Sequence, residues 1–442
     1  MSGRNTRGRD AMGLGLAALN RLAGTAVIDK LGLRKPFERA VYEGSKVGFR
    51  TAGAANRRFA AAQRRRRPER LTPAADHGQF DLTPDEQTQQ IVAATTEFAA
   101  EQLRPAAAAS DAECAAPEAV LKRAVTELGV TLVGIPASFG GLGHERSTTT
   151  GVLVAEALAH GDMGLAVACL APAAVSTALV LWGDEEQQST YLPAFAGDDV
   201  PAAALAVLEP RPLFDPFELR TTATRTPGGY RLDGVKALVP RAAQAELFVV
   251  AARLDAAPAL FLVESGAPGV SIEADPGMGL RGAATGRLAL YGLALPAGAL
   301  LGGGSGETYA ECVRLARLGW SALALGTAQA VLDYVIPYVN GRRAFGEPIS
   351  NRQAVAFMVA DIAIELAGAR LVTYRAAARA ERGKSFAREV ALARRLTSEY
   401  GMQIGSNGVQ LLGGHGYVKE HPVERWYRDL RSIALMEGVV LV

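Results

Sequence analysis

Arg342-Arg343-Ala344-Phe345-Gly346-Glu347-Pro348-Ile349, followed by Gln353, and Gln410-Leu411-Leu412-Gly413-Gly414-His415-Gly416-Tyr417 are the stretches on which the fold turns. Further on stand Pro422-Val423-Glu424-Arg425, Arg428-Asp429 and Met436-Glu437-Gly438. The residue types suit an anionic ligand. A guanidinium such as Arg342 presents planar donors that never lose their charge, which matches a pyrophosphate. Glycines at 413, 414 and 416 let backbone approach closely and turn its amides toward an anion. Taken singly, each feature has a bland equivalent: a surface arginine, a helix C-cap, a solvated glutamate.

Outward from these stretches the hydrophobic period changes twice. From Glu307 to the end the pattern is that of long helices. Between about Val200 and 305 lie short runs rich in strand formers: Ala202–Val207, Thr221–Thr224, Tyr230–Val239, Leu247–Ala252 and Ala259–Val263. Turn residues such as Pro227-Gly228-Gly229 and Asp233-Gly234 separate them, as in a small β-sandwich or barrel. Before Val200 the period is helical again, over Pro117–Leu128, Thr148–His160 and Gly164–Leu181. Thr83-Pro84-Asp85-Glu86 opens this region with a capping pattern, taken as Thr83 at the N-cap and Pro84 at the first helical position. The chain is therefore mainly α within an α+β class. Its expected parts are a basic extension (1–80), an N-terminal helical domain (81–199), a middle β domain (200–305) and a C-terminal helical domain (306–442) built as a four-helix bundle.

The order of these parts, together with the quoted motifs, resembles the acyl-CoA dehydrogenases over residues 81–442. The resemblance implies FAD as cofactor, with Arg342, Phe345, Gln353, Gln410, Gly413 and Gly414 reaching the dinucleotide of a neighbouring subunit. A homodimer or homotetramer follows from that contact. It also implies Glu437 as catalytic base, from its spacing after Arg428, and Arg317 as a substrate-binding residue lining an acyl-CoA cavity. The reaction implied is α,β-dehydrogenation of an acyl-CoA thioester, with electrons passed to an electron-transfer flavoprotein. Glu437 then takes the α-proton, and the enolate needs hydrogen bonds at the thioester oxygen. Exclusion of water strengthens the carboxylate as a base.

Two segments depart from the family pattern. Where the family carries hydroxyls against the flavin, this chain has Leu208 and Phe214 in Leu208-Glu209-Pro210-Arg211-Pro212-Leu213-Phe214-Asp215. Where it carries tryptophan and a further hydroxyl, this chain has Leu238 and Pro240 in Lys236-Ala237-Leu238-Val239-Pro240. Three readings follow: the dehydrogenase, an oxidase returning electrons to dioxygen, and a flavin-poor, non-catalytic subunit or membrane-associated scaffold.

Composition narrows the remaining classes. Cys114, Cys169 and Cys312 lie far apart without CxxC spacing, and the five histidines form no HxxxH or HExxH pair, so no metal centre is expected. The apolar run Leu165–Trp182 is broken by Pro172 and polar residues, and suggests a buried helix pair rather than a membrane span. The expected location is the cytoplasm. Net charge is +2, yet residues 1–70 hold 17 Lys/Arg against 5 Asp/Glu. This basic extension suits peripheral contact with an anionic membrane, through mixed apolar and basic residues over Ala26–Phe59, or else a solvated arm. No base-reading module accompanies the charge, so nucleic acid is not an expected partner.

Overall fold

The computed structural model describes residues 84–142, 146–197 and 199–442, and the expectations for the basic extension fall outside them. The first helices are α1 (Glu86–Phe98), α2 (Arg104–Glu113) and α3 (Glu118–Leu128). The cap of α1 is Asp85, whose carboxylate accepts the Thr88 N–H at 2.7 Å, so Pro84 precedes the helix instead of opening it. Asp85 takes the role because it can accept from the N3 amide directly. One π turn, Ala99–Leu103, joins α1 to α2 just before Pro105, whose missing N–H interrupts the ordinary ladder.

α4 (Thr148–Gly161), α5 (Met163–Trp182) and α6 (Glu185–Phe195) complete this part. The expected helix pair is one continuous helix, α5, running through Pro172. Its residues are nearly all buried, and packing outweighs the lost backbone bond. α5 and the later α7 (Gly306–Gly341) are long and apolar enough to cross a membrane, but 72% and 67% of their apolar windows are buried inside the protein.

The sheet has eight strands: β1 (Ala203–Ala206), β2 (Thr222–Thr226), β3 (Gly229–Val239), β4 (Leu247–Leu254), β5 (Ala257–Glu264), β6 (Val270–Ala274), β7 (Gly286–Pro296) and β8 (Leu300–Leu301). Their order is β6-β7-β3-β2-β4-β5-β8, with β1 parallel to β4. One face encloses a core of its own, including Leu232, Phe248, Val250, Phe261 and Leu290. The alternate residues of β1, β4 and β5 (Ala203, Leu205, Val249, Leu260, Leu262) join the main helical core instead. Those three strands are thus buried on both faces, which is why they are continuous apolar runs.

The C-terminal part packs α7, α8 (Gln353–Glu381), α9 (Ala387–Leu411) and the short α10 (Val423–Ser432). α7 also lies along α4 so closely that a side chain on Gly326 would sit 2.0 Å from the Glu156 carbonyl. Beyond α10, residues Val439–Val442 are buried against α4 and α7 at Gly151 and Gly319.

Candidate active site

The predicted residues fall into two groups. Arg342 follows α7, and the hairpin β9 (Arg343–Ala344) and β10 (Glu347–Pro348) turns at Phe345 and Gly346, both with positive φ. The second begins at the end of α9, where Gln410 precedes a tight turn over Gly413–Tyr417. Together Arg342, Gln410, Gly413 and Gly414 line one open cleft of about 850 Å³. Space beside Gly413 and Gly414 is empty, so backbone forms that part of the floor. Phe345 and Gln353 do not line this cleft. Phe345 is 93% exposed, with the Arg352 guanidinium 5.0 Å over its ring, and Gln353 is the exposed first residue of α8. Tyr338, Arg352 and His415 also line the cleft and were not singled out in the sequence. The Tyr338 hydroxyl lies 3.3 Å from His415 Nδ1.

Glu437 belongs to the other group and is buried in the interior. Arg317, expected to line an acyl-CoA cavity, reaches Glu437 itself. Its Nε lies 3.0 Å from each carboxylate oxygen and its Nη2 2.7 Å from Oε1. Burial pulls the Arg317 guanidinium down, but the Glu437 hydrogen bonds and charge outweigh that and raise it. Arg394 on α9 stands 3.6 Å from Glu437 Oε1. The segment after Glu437 is also fixed: Trp320 Nε1 donates to the Gly438 carbonyl at 2.8 Å, and Gly438 bridges to Ala206 of β1. Gly438 has no room for a side chain, since an added Cβ would meet Val207 at 2.6 Å.

The Arg428-Asp429 pair plays a structural part. Arg428 clamps Asp111 with 2.8 and 2.9 Å bonds and also holds Glu424. Asp429 accepts the Leu280 N–H at 2.6 Å, and Arg425 pairs with Asp162, the N-cap of α5. Burial and the nearby Asp162 charge push the Asp429 carboxyl up to about 8. The folded state therefore holds a proton that the unfolded chain releases near pH 4. Stability is fully present below that range and declines as pH rises through about 8. Asp429→Asn, which keeps an acceptor for Leu280, should flatten that decline, so that Tm differs by at most ~2 °C between pH 5 and 8.5. Thermal melts across this range decide it, and a slope equal to that of wild type would refute the assignment.

The two segments that carry the departures are tied together by a buried ion pair. Lys236, fully buried, donates to Glu209 Oε1 at 3.0 Å and to the Val207 carbonyl at 3.2 Å. Glu209 also accepts the N–H groups of Arg220 and Thr221, each at 2.9 Å. Burial lowers Lys236 to about 8, with Glu209 opposing that shift. Leu208 and Pro240 are buried, Leu238 is half-buried with φ +50°, and Phe214 carries the Arg211 guanidinium 5.3 Å over its ring.

Family models cover most of the described chain. The acyl-CoA dehydrogenase N-terminal domain matches residues 85–199, the middle domain 204–292 and the C-terminal domain 305–440. The rat short/branched chain specific acyl-CoA dehydrogenase is 32% identical over 354 residues, covering 78% of this chain and 81% of its own. The butyryl-CoA dehydrogenase structure from Megasphaera elsdenii superposes with a TM-score of 0.75 at 27% identity, over 81% of this chain and 96% of that one. A chain in the electron transferring flavoprotein structure from Acidaminococcus fermentans does so with a TM-score of 0.75 at 28% identity, over 81% and 96%.

Proposed function

Because the chain belongs to the acyl-CoA dehydrogenase family, we propose that it oxidises an acyl-CoA thioester across its α and β carbons, with Glu437 as base. The observation that carries this reading is the buried Glu437 carboxylate, fixed at the junction of α7, α9 and β1. A base there needs defined aim more than reach.

FAD is the cofactor this reading requires, and the residues fit it unequally. The glycine-floored cleft with Arg342 and Arg352 suits a pyrophosphate. Leu208, Leu238 and Pro240 offer apolar surface to a ring system but no hydroxyl, and Pro240 has no N–H. Each hydrogen bond so lost is worth about 0.5–1.5 kcal/mol, which weakens cofactor affinity without abolishing it. When bound, FAD supplies the acceptor for the hydride leaving the β carbon. The chain's own tasks are to hold the thioester, exclude water and receive the α-proton at Glu437. Arg317 holds both Glu437 oxygens in hydrogen bonds that favour the charged carboxylate, so the base strengthens as that fork loosens.

Short-chain acyl groups are the favoured substrates, supported by the likeness to the rat and M. elsdenii enzymes. Electron-transfer flavoprotein is the favoured acceptor, supported by the likeness to the A. fermentans chain. A homo-oligomer completes the reading. Phe345 stands exposed at the hairpin tip, and Phe357, Ile364 and Leu371 recur every seven residues along an exposed face of α8. That spacing gives an apolar stripe suited to a second copy.

Purified full-length protein tests the proposal by colour. A yellow protein, bleached by butyryl-CoA under anaerobic conditions and reoxidised by electron-transfer flavoprotein faster than by dioxygen, is the expected result. A colourless protein that takes up no added FAD fits the non-catalytic subunit instead.

A further inference from the structure

Glu437 has two cationic neighbours, and the family motifs account for one of them. The second, Arg394, comes from the buried face of α9, in register with Val390, Ala393, Thr397 and Gly401. Its Nη2 donates to the Met436 carbonyl at 2.6 Å and stands 3.6 Å from Glu437 Oε1. Its Nη1 is buried without a hydrogen-bond partner among the described residues. Such an orphaned donor in the interior is costly unless it serves a purpose or gains a partner in another state.

The origins of both arginines are fixed. Ser321 Oγ donates to the Arg317 carbonyl at 2.9 Å, and Thr397 Oγ1, which donates to the Ala393 carbonyl at 2.8 Å, lies 3.3 Å from Ser321 Oγ. Both hydroxyl residues are buried, so α7 and α9 are tied within a turn of each guanidinium. Burial draws Arg394 down to about 10; Glu437 opposes that shift and Arg317 adds to it. Tyr309 of α7 and Asp215, on the loop after β1, are the other ionisable groups acting on Arg317.

We propose that Arg394 is a positioning residue for the base: it anchors the main chain at Met436 and keeps a counter-charge beside Glu437 when Arg317 opens. The need for it follows from the geometry. The Arg317 fork holds both oxygens in hydrogen bonds that favour the charged form, so the carboxylate becomes a stronger base as that fork opens. Opening strands a buried carboxylate, which is unfavourable without a nearby cation. Arg394 needs a shift of under ~1 Å to reach charge-assisted hydrogen-bond distance. The proposal rests on Glu437 being the base of the proposed reaction.

The test compares wild type, Arg394→Met and Arg394→Lys in steady-state oxidation of butyryl-CoA with a ferrocenium acceptor. Arg394→Met should lower kcat about 30-fold, leave KM within about twofold, and move the acid limb of kcat/KM up by roughly one pH unit. Arg394→Lys should restore most of kcat and the limb. Hydrogen exchange of the peptide spanning residues 433–438, measured without substrate, should rise in Arg394→Met and fall back in Arg394→Lys. Should Arg394→Met not fold, Arg394→Gln removes the charge alone and carries the same comparison of limbs. A folded, uncharged variant with an unmoved limb and wild-type exchange at 433–438 overturns the proposal. Wild-type protein that oxidises no acyl-CoA would sink the functional reading, and the exchange comparison then decides the positioning role alone.

Discussion

Glu437→Gln is expected to lower kcat by about three to four orders of magnitude while leaving FAD content near wild type and lowering Tm, because Arg317 and Arg394 lose their counter-charge. The substitution keeps the shape of a side chain that is buried and hydrogen-bonded on both oxygens. It removes the one group at this position able to take a proton. Fold and cofactor retention are expected because the cleft that holds Arg342, Gln410, Gly413 and Gly414 is built from other residues. The backbone around the base also keeps its anchors at Ala206 and Trp320. Single-turnover bleaching with butyryl-CoA is the measurement. Turnover within tenfold of wild type would place the base elsewhere.

Glu209→Gln should be the most destabilising single polar substitution among those considered, by about 3–5 kcal/mol, because it strands a buried ammonium. Lys236 is fully buried beside Glu209, and among the described residues the carboxylate is its only anionic partner at hydrogen-bond distance. Glutamine keeps one oxygen, which can accept the Thr221 amide, but its NH2 then faces the Arg220 N–H, so the pH dependence of the loss, and not its size, isolates the charge. The sign with pH is opposite to that of a raised carboxyl. Lys236 has a depressed value of about 8, so folding releases its proton between that value and the ordinary lysine range near 10.5. The penalty in Glu209→Gln should therefore shrink as pH rises from 7 to 10. Adding Lys236→Met should recover part of it. Urea unfolding at both pH values, with the double variant, is decisive; a pH-independent penalty would mean the ammonium is not the cause.

Much of the architecture was legible because hydrophobic period and turn residues are local properties. β4 and β5 declared themselves as unbroken apolar runs, since both of their faces are buried. β7 did not: Gly286 and Gly292 interrupt it, and its pairing with β3 shifts register between Leu232 and Gly234. The single helix α5 was misread as two because Pro172 is a breaker in isolation, whereas burial on all sides overrides that preference. In the site, fixed spacing singled out Glu437 as the candidate base, but no spacing reveals that Arg317, 120 residues earlier, holds both its oxygens. Arg394 left a fainter trace, as a charged residue on the apolar face of an amphipathic helix. The cleft gathered Arg342, Gln410, Gly413 and Gly414 but not Phe345 or Gln353. Those two are exposed, and exposure is set by packing that residue spacing does not encode.

The strands β1, β4 and β5 carry one more implication, which concerns heredity rather than catalysis. Half of their side chains, among them Leu205, Val249, Leu260 and Leu262, belong to the core shared with the helices. A fragment confined to the middle segment would show that face to water and aggregate before it folded. Recombination can therefore exchange this segment between relatives only together with the helical surface it matches. The three parts of the chain are bound to travel through descent as one unit.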